Sequence, residues 1–554
     1  MASGRIFDGT SWTDIQETPS AMFRGNQRPI PPVTDGDGKI HVGIVSFRDG
    51  ARCAQTLIDL FANAKDPDNI VVGLVEQNYE TDDPFCLELY CKQASEGNNL
   101  DIYLRMTIRQ DTTKIMAQHP QREHCPRIDQ IRKLAVHNIA AKGPTWARSL
   151  GRKVLGNEEF CLQIDAHSKF VPEWDAKLKQ EWMNTNNEFA IISHQPSALS
   201  DFEKPELAKV VPRNCAVDFL EVKVPHYDGR GDGKVENLKQ PLLSHTWSPG
   251  FSFAKCHLEE SAPYDGFTPY VAGVEAFARF ARFWTRGYDV YTPTQNIVYT
   301  NYQPNPDGHG TMEWMKRWKY RLRDKSLRRI RSYLELPDGE EGLKLENLGI
   351  YGLGKRRSLK QLNEFVGIDL AARQSRPATV SEKSIICFAG KKFEVGPRCN
   401  SAFLRETIIA STILLRQLSL SHQIPCGNFQ WVPYDPNISP VDNLYSNPDD
   451  LDPQPDFPLR TELTFFKDTA DVTPDLEVLE GDLHPAGQVS DSGAAKVISP
   501  TPSTSNLPSI PLLFILWVLG LVAWFYFVVI ANKSSAGGKR KRKAAKNANT
   551  YKDK

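Results

Sequence analysis

Short apolar runs alternate with helical patterns along the N-terminal part of the chain. Short runs that lack a polar face are typical of buried strands, whereas apolar residues spaced three and four apart indicate helices. Because strands separated by helices favour parallel crossovers, the pattern predicts an α/β fold. The predicted strands are His41–Ser46, Ile70–Val75, Ile102–Met106, Phe160–Ile164 and Phe189–Ile192, and the predicted helical faces comprise Ala54, Leu57, Ile58 and Phe61, then Ile128, Ile131, Leu134, Ala135 and Ile139.

The pattern changes on both sides of this region. Residues 1–40 contain no apolar run and so resemble no signal peptide. From Arg376 to Phe466 the periodicity is weaker, with one predicted helix at Leu404–Leu418, and this accessory segment receives neither a fold nor a role. Residues 467–508 are rich in Asp, Pro, Ser, Gly and Thr, which predicts a disordered stalk.

A single uncharged stretch, Ile510–Ala531, is long enough to cross a bilayer as a helix. It contains Trp517, Trp524 and Tyr526, and Lys533 opens a basic flank. The alternative is a buried core helix, but such helices usually keep one polar face, and this segment has none. We therefore predict a C-terminal transmembrane helix at 510–531, followed by a basic tail at 532–554.

Charge is divided unevenly between the tail and the rest of the chain. The 554 residues hold 67 Lys+Arg and 67 Asp+Glu, yet nine of the bases and one of the acids follow Ala531, which leaves 58 bases and 66 acids before it. The run Lys539–Lys543 would suit a nucleic acid, but its place beyond a predicted span favours lipid headgroups, so we expect no nucleic-acid partner. Ten cysteines without a CxxC pair argue against a zinc ribbon and against a fold that depends on disulfides.

Candidate chemistry lies at two predicted strand ends. Ser46–Asp49 follows the first strand, and Asp165 and His167 follow Phe160–Ile164. Since ligands of open α/β sheets bind beyond the carboxyl ends of the strands, Asp165 and His167 are a plausible pair for Mn²⁺ or a similar divalent ion. Spacing alone is weak support, because a helix N-cap next to a surface histidine has the same pattern.

The surrounding sequence strengthens this interpretation. Gly143–Arg148 (GPTWAR) forms a turn into a helix whose arginine could reach a phosphate, and Phe170–Asp175 starts the next helix. P-loop, GxGxxG and GxSxG motifs do not occur, which argues against NTPases, Rossmann dehydrogenases and α/β-hydrolases.

Several motifs in order resemble one family. GPTWAR, then EEFCLQIDAHSKFVPEWD, then Trp247–Phe251 (WSPGF), and Gly352–Leu359 (GLGKRRSL) are similar to those of the polypeptide α-N-acetylglucosaminyltransferases. That family includes an enzyme that modifies hydroxyproline on a ubiquitin-ligase adaptor, and it is related to mucin-type GalNAc-transferases. The resemblance extends from about His41 to Gln374, so the glycosyltransferase domain is expected at 41–375.

The resemblance implies a GT-A fold with a mixed central sheet, a nucleotide-sugar donor and a divalent cation, usually Mn²⁺. Asp165 and His167 match the family's DxH metal site, where the ion would neutralise charge on the leaving UDP. Arg148 matches the arginine expected near the diphosphate. Ser46 and Arg48 match the loop that meets the uridine, and Gln77 is expected on the same side.

The same resemblance suggests a sugar and acceptor site. Segments around Asp265 (PYD) and Glu275 resemble two further family motifs, and together with Trp247 these two residues form the expected catalytic group. Glu275 would face the donor sugar or the acceptor hydroxyl. Alternatively, Glu275 only complements the dipole at the start of its helix, an effect of about 0.3–1 kcal/mol.

The sequence departs from the family pattern at two positions. Thr300 stands where relatives place a third metal-binding histidine, and Ala276 stands where they place a second acid. His309 could supply the missing ligand from a nearby loop, or it could be structural. A site with two protein ligands, completed by phosphates and water, is the other alternative.

These observations predict a membrane-anchored, metal-dependent retaining glycosyltransferase that moves GlcNAc from UDP-GlcNAc to a Ser, Thr or hydroxyproline hydroxyl of a protein. The alternative is a non-catalytic scaffold or sugar-binding protein with the same fold. A C-terminal span inserted after synthesis would leave the domain cytosolic, which is the arrangement expected here. The positive-inside rule would instead place the domain in the lumen, where Asn437–Ser439 is a glycosylation sequon weakened by Pro440.

Overall fold

The computed structural model describes residues 3–442, with gaps at 9–10, 18–21, 80–81, 96–124, 220–222, 228–232, 306–316, 340–344, 376–421, 424–425 and 428. All of these residues belong to one compact unit, Met1–Pro474. The predicted elements Ile102–Met106, Leu404–Leu418, the stalk and the membrane span Ile510–Ala531 lie outside the described residues. Among the helices that the structure does describe, none is long and apolar enough to cross a membrane.

The strands are β1 (Arg5–Phe7), β2 (Trp12–Asp14), β3 (Ile40–Phe47), β4 (Ile70–Asn78), β5 (Ile131–His137), β6 (Phe160–Asp165), β7 (Ser168–Phe170), β8 (Ala190–Ser193), β9 (Ser197–Ala198), β10 (Val210–Pro212), β11 (Ala216–Asp218), β12 (His226–Tyr227), β13 (Lys234–Glu236), β14 (Leu242–Ser244), β15 (Phe251–Lys255), β16 (Asp289–Thr292), β17 (Val298–Thr300), β18 (Ile368–Asp369), β19 (Gln374–Ser375) and β20 (His422–Gln423). The α-helices are α1 (Gly50–Ala62), α2 (Cys86–Ser95), α3 (Pro144–Leu150), α4 (Trp174–Asn184), α5 (His257–Ser261), α6 (Glu275–Trp284), α7 (Arg317–Tyr333) and α8 (Leu359–Val366). Short 3₁₀ helices cover Pro67–Asn69, Ile128–Gln130, Asn138–Ala140, Gly151–Val154, Leu199–Asp201, Pro205–Leu207 and Leu345–Tyr351.

An eight-stranded mixed sheet forms the centre, in the order β14-β16-β8-β15-β6-β3-β4-β5. Strands β6, β3, β4 and β5 are parallel, whereas β15 runs antiparallel to both of its neighbours. The carboxyl ends of the four parallel strands therefore meet at one edge. The register pairs Val45 with Asp165 and Phe47 with Gln77, which puts each pair on a common face of the sheet.

The predicted strands at the start of the chain are confirmed as β3, β4, β6 and β8, and the first helical face is confirmed as α1. The predicted helix through Ile128 and Ile139 is wrong, since most of it is strand β5. Ile131, Leu134 and Val136 are buried, and β5 pairs with β4 over its whole length. Spacings of three had suggested a helix, but Leu134 and Val136 follow the period of two, and pairing with β4 satisfies the backbone.

Four disulfides join elements of this unit: Cys53–Cys86, Cys91–Cys125, Cys161–Cys256 and Cys215–Cys426. The first links α1 to α2, and the third links β6, the strand that ends in Asp165, to the residue after β15. Eight of the ten cysteines are therefore paired, and Cys387 and Cys399 lie outside the described residues. The low cysteine content argued against a fold that depends on disulfides, yet most of the cysteines form them.

Candidate active site

A polar cleft lies at the carboxyl ends of β3, β4 and β6. It encloses about 540 Å³ and is bounded on one side by residues 301–305, which follow β17. The side chains that carry its chemistry are Asp49, Gln77, Arg148, Asp165, His167 and Tyr302. The structure thus brings together four of the residues predicted from sequence, namely Gln77, Arg148, Asp165 and His167.

Arg148 connects two acids that are far apart in the sequence. Its Nη2 donates a hydrogen bond to Oδ1 of Asp165 at 3.0 Å, and its Nη1 donates to Oε1 of Glu275 at 3.4 Å. The guanidinium is nearly buried, while Asp165 keeps 29% of its side chain exposed toward the cleft. A buried cation between two carboxylates can position both of them and attract an anionic group.

Glu275 begins helix α6 and is almost completely buried. Burial raises the pKa of its carboxyl, and the positive charge of Arg148 partly opposes that shift. Within the described part of the chain, its Oε2 has no hydrogen-bond partner. A buried carboxylate oxygen without a partner is costly, so a ligand or ordered water is expected to contact it.

His167 is held by a chain of side chains that starts on α1. Its Nδ1 lies 3.1 Å from Oδ2 of Asp49. Arg52 donates to both carboxylate oxygens of Asp49, each at 2.7 Å, and to the backbone oxygen of Gln303 at 2.8 Å. Because a carboxylate only accepts hydrogen bonds, Nδ1 carries the proton and the lone pair of neutral His167 is on Nε2.

The donor set at this edge suits a divalent cation. Metal-ligating histidines usually donate their other ring N–H to a carboxylate, as His167 does to Asp49, and a carboxylate oxygen of Asp165 suits Mn²⁺. Across the described residues, no group of three or more His, Cys, Asp or Glu side chains is arranged to hold a metal. Asp165 and His167 by themselves therefore offer two candidate ligands for such an ion.

His309, the possible third metal ligand, lies in the gap at 306–316 and so outside the described residues. Thr300 is buried at the end of β17, where it pairs with Ser168, directly after His167. The threonine thus occupies a position beside the Asp165–His167 pair, and its hydroxyl has no hydrogen-bond partner in the described chain.

Gln77 and Ser46 lie on opposite faces of the sheet. Gln77 is buried against the cleft, its Nε2 donates to the backbone oxygen of Ser46 at 3.4 Å, and its Oε1 lacks a partner among the residues described. Ser46 pairs with Glu76, so its side chain points to the opposite face from Phe47 and Gln77. Its predicted contact with the uridine stays a prediction that this placement does not favour.

Arg48 points away from the cleft. Its Nε and Nη2 donate to the two oxygens of Asp83 at 2.7 and 2.9 Å, and this ion pair is largely buried. Its backbone contributes instead, because its oxygen accepts a hydrogen bond from Nδ2 of Asn305 at 2.8 Å. The residue therefore anchors the 301–305 segment at the cleft.

None of the three members of the expected catalytic group lines the cleft, although Glu275 contacts Arg148, which does. Trp247 is buried in the core, with its Nε1 donating to Oγ of Ser252 at 2.9 Å. Asp265 pairs with Arg329 of α7 at 2.9 Å and accepts a hydrogen bond from the backbone of Phe267. Both placements favour structural roles, whereas their catalytic roles stay predictions.

The WSPGF motif acts through its glycine. A Cβ added to Gly250 would lie 2.9 Å from Oδ2 of Asp165. The absence of a side chain there gives the Asp165 carboxylate its space, which explains why this segment accompanies the DxH pair.

Sequence reasoning missed Asp49, Arg52 and Tyr302. Asp49 belongs to the quoted run Ser46–Asp49, but only the register of β3 with β4 and β6 shows that the face of Val45 and Phe47 is the one toward the cleft. Tyr302 is 52% exposed, and its Oη donates to the backbone oxygen of Pro196 at 2.8 Å. Burial of the hydroxyl end raises its pKa to about 12. The only sequence feature that could have predicted Tyr302 as a cleft residue is its position just after β17.

A mixed α/β sheet with a polar cleft at the carboxyl ends of its parallel strands is an architecture of enzymes that bind phosphorylated ligands. The sequence profile described as Glycosyltransferase (GlcNAc) matches residues 39–372, which is more than half of the chain. The chain therefore belongs to this family and is a glycosyltransferase. The narrower polypeptide or hydroxyproline subfamily stays a prediction.

The chain is distantly similar to several solved structures. GalNAc-T7 with UDP, GalNAc and Mn²⁺ is 13% identical over 53% of this chain and 48% of its own, with a TM-score of 0.33. The mannosyltransferase PcManGT of Pyrobaculum calidifontis, with GDP-Man and Mn²⁺, is 12% identical over 55% and 67%, at 0.27. TarS 1–349 of S. aureus with UDP-GlcNAc is 12% identical over 56% and 78%, at 0.26.

The match thus spans about half the length of the GalNAc-T7 chain, and likenesses of this degree carry no inference about substrate or metal. No curated protein matches the chain.

Proposed function

We propose that this glycosyltransferase moves N-acetylglucosamine from UDP-GlcNAc to a Ser, Thr or hydroxyproline hydroxyl of a protein, with retention and with help from a divalent cation such as Mn²⁺. The observation that carries the proposal is that Arg148, which lines the cleft, donates hydrogen bonds both to Asp165 in the cleft and to Glu275 buried behind it. Arg148 would supply a positive charge to a diphosphate, and the neighbouring buried acid Glu275 would bind a polar group of the sugar. Membership of the Glycosyltransferase (GlcNAc) family supports the choice of sugar.

Asp165 and His167 would hold the divalent ion, which supplies charge stabilisation to the leaving diphosphate. Arg148 contributes a permanent positive charge on the same side of the cleft, in a site where burial strengthens electrostatic interactions. Asp49 and Arg52 fix the orientation of the His167 ring. The unpartnered Oε1 of Gln77 offers an acceptor to the N–H of a pyrimidine base.

In the proposed reaction, the bond between the anomeric carbon and the UDP oxygen breaks, and a bond from that carbon to the acceptor oxygen forms on the same face. The acceptor proton passes to an oxygen of the departing diphosphate. Glu275 lies too deep to be the first group that meets an acceptor, but its free oxygen suits a hydroxyl or amide of the donor sugar. No strong protein base is then required.

We also propose that the chain is anchored by Ile510–Ala531 and that its catalytic domain faces an oxidising compartment. Four disulfides support that side, since disulfides persist in secretory compartments and are rare in the cytosol. The basic tail would then be cytosolic, in accordance with the positive-inside rule. The cytosolic arrangement expected from the sequence is the alternative that these disulfides oppose.

The decisive experiment measures hydrolysis of UDP-GlcNAc by the full-length protein with Mn²⁺, and repeats it with UDP-GalNAc and UDP-glucose. We expect the wild type to release UDP and Asp165→Ala to lose about 100-fold or more. Asp37→Ala, which removes an exposed carboxylate far from the cleft chemistry, is the matched control. Absence of UDP release in the wild type, or equal rates in the wild type and Asp165→Ala, would refute the proposal, and a faster rate with another UDP-sugar would change the donor.

A further inference from the structure

Helix α7 concentrates positive charge in an otherwise mildly acidic domain. Its sequence, RWKYRLRDKSLRRIRSY, contains eight Lys/Arg residues and one acid, Asp324. The domain at 41–375 holds 44 Lys/Arg and 44 Asp/Glu, so without this helix it would carry seven more acids than bases. The proposed transfer reaction assigns no role to it.

The inner face of α7 is fixed to the domain. Leu327, Ile330 and Tyr333 are buried in the main core. Oγ of Ser326 donates to the backbone oxygen of Pro269 at 2.9 Å, and Nε of Arg329 donates to Oδ2 of Asp265 at 2.9 Å. Leu327, Ile330 and Tyr333 are therefore used for folding.

The outer face presents a basic stripe, which we define as Arg321, Lys325 and Arg328. These three exposed residues are spaced by four and three, so they share one face of the helix and span about 10 Å along it. Arg328 pairs with Asp324 at 2.9 Å, but both partners are about half exposed. Arg321 and Lys325 form no ion pair with any described residue.

The stripe is connected to the active-site cleft by a short path. Pro269, which holds Ser326, precedes Tyr270, whose backbone N–H donates to the backbone oxygen of Lys142. The next residue, Gly143, lines the cleft. Phe267, two residues before Pro269, is 46% exposed, and the Arg329 guanidinium lies 5.1 Å from the centre of its ring.

We propose that the basic stripe is a docking surface for an acidic segment of the polypeptide acceptor, which places a neighbouring hydroxyl at the cleft. This inference rests on the proposed transfer to a protein. Exposed charges of one sign raise the local concentration of an oppositely charged partner and select against like-charged ones. Phe267, whose ring Arg329 of the same helix contacts, adds an exposed aromatic side chain next to this helix.

The charge of the stripe alone would also suit an anionic membrane. A helix that lies in a membrane surface, however, exposes an apolar face beside its basic one. Leu327, Ile330 and Tyr333 of α7 are buried in the core, and the exposed Asp324 lies between Arg321 and Lys325 in the sequence. The structure therefore favours an acidic polypeptide over a lipid surface.

The test uses the full-length protein and two synthetic peptides that each contain one threonine, one rich in glutamate and one with glutamine in its place. Arg321→Glu/Lys325→Glu reverses the stripe. Lys209→Glu/Lys239→Glu produces the same change of net charge at two exposed lysines elsewhere on the domain. Binding is followed by fluorescence anisotropy at low and at high salt, and UDP release without peptide is measured for every variant.

We expect the wild type to prefer the glutamate peptide, with a Kd that rises steeply with salt. Stripe reversal should raise this Kd about tenfold or more, while the lysine control changes it little. UDP release without peptide should be equal in all variants, so a failure of the proposed transfer chemistry is seen separately from a failure of docking.

Equal binding of the two peptides, or equal weakening by both double variants, would refute the docking surface. Vesicles that contain phosphatidylserine provide the remaining arm. If stripe reversal abolishes vesicle binding but leaves peptide binding unchanged, the stripe serves a membrane and the proposal is wrong.

Discussion

The carboxylate of Asp49 lies 3.1 Å from Nδ1 of His167 and is held at both oxygens by Arg52. This arrangement determines which nitrogen of His167 carries the proton, and hence which nitrogen could bind a metal. Arg52 also reaches the backbone of Gln303, so the same contact connects helix α1 to the segment that bounds the cleft. The proton position on His167 and the attachment of residues 301–305 therefore both depend on the ion pair of Asp49 with Arg52.

Replacement of Asp49 by asparagine should weaken Mn²⁺ binding. The amide keeps the shape of the carboxylate but loses its charge, and it can present N–H to His167, which favours the wrong tautomer. We expect a loss of about 10- to 100-fold in Mn²⁺ affinity, as measured by calorimetry in the presence of UDP.

Asp37→Asn is the control for this prediction, because Asp37 pairs only with exposed Lys39 and lies outside the cleft. An Asp49→Asn protein that binds Mn²⁺ as tightly as the wild type would show that Asp49 has no positioning role.

Gly250→Ala should impair catalysis more than folding. The new Cβ would lie 2.9 Å from Oδ2 of Asp165, so the carboxylate must move. Because small misplacements of reacting groups are costly, the rate of UDP release should fall by about 10- to 100-fold. The matched change is Gly151→Ala, where an added Cβ meets nothing within 4 Å and the backbone is helical. Similar rates in the two variants would contradict the role assigned to Gly250.

The sequence located the edge of the sheet where the chemistry lies, since Asp165 and His167 follow a strand whose apolar residues are unmistakable. The alternation along Val45, Ser46 and Phe47 predicts that neighbouring side chains point to opposite faces of the sheet, but not which face meets the cleft. The register of β3 with β4 and β6 is needed to decide this. Ser46 and Arg48 were selected through the family resemblance, which does not show which side chains face the cleft.

Contacts between distant segments could not be derived from local patterns. Arg148 meets Glu275 across 127 residues, and Arg329 meets Asp265 across 64. Local spacing also misled at β5, where pairing with β4 overrides an apparent helical period. Family motifs supplied the identity of the residues, but only the fold separates those at the cleft from those in the core, such as Trp247.

The disulfides lead to a prediction about the compartment. Protein taken from intact cells under acid quench, then denatured without reductant, should expose no more than the two thiols of Cys387 and Cys399 to an alkylating reagent. After reduction, all ten cysteines should react. Mass spectrometry of the intact chain counts the labels. Ten labels before reduction would place the domain in a reducing compartment and would contradict the proposed topology.

Buried histidines should make stability fall at low pH. His41 is buried near the start of β3, and its Nδ1 lies 3.8 Å from Glu158. Burial lowers the pKa of His41 to about 4, although Glu158 partly opposes the shift. Burial likewise lowers the pKa of His194 to about 4. Between these values and about 6.5, the unfolded chain binds more protons than the folded one, so the free energy of unfolding rises with pH.

The expected contribution of His41 is on the order of 1 kcal/mol per pH unit over that window. It is fully present above about pH 6.5 and is lost as the pH falls toward 4. His41→Leu cannot take up a proton, so urea unfolding near pH 7 and near pH 5 should show a smaller difference for this variant than for the wild type. The slope is compared rather than the absolute stability, because the substitution also changes the packing against Gly73. An unchanged slope would mean that His41 is not buried as a neutral side chain, and with it the packing at the base of β3 would need revision.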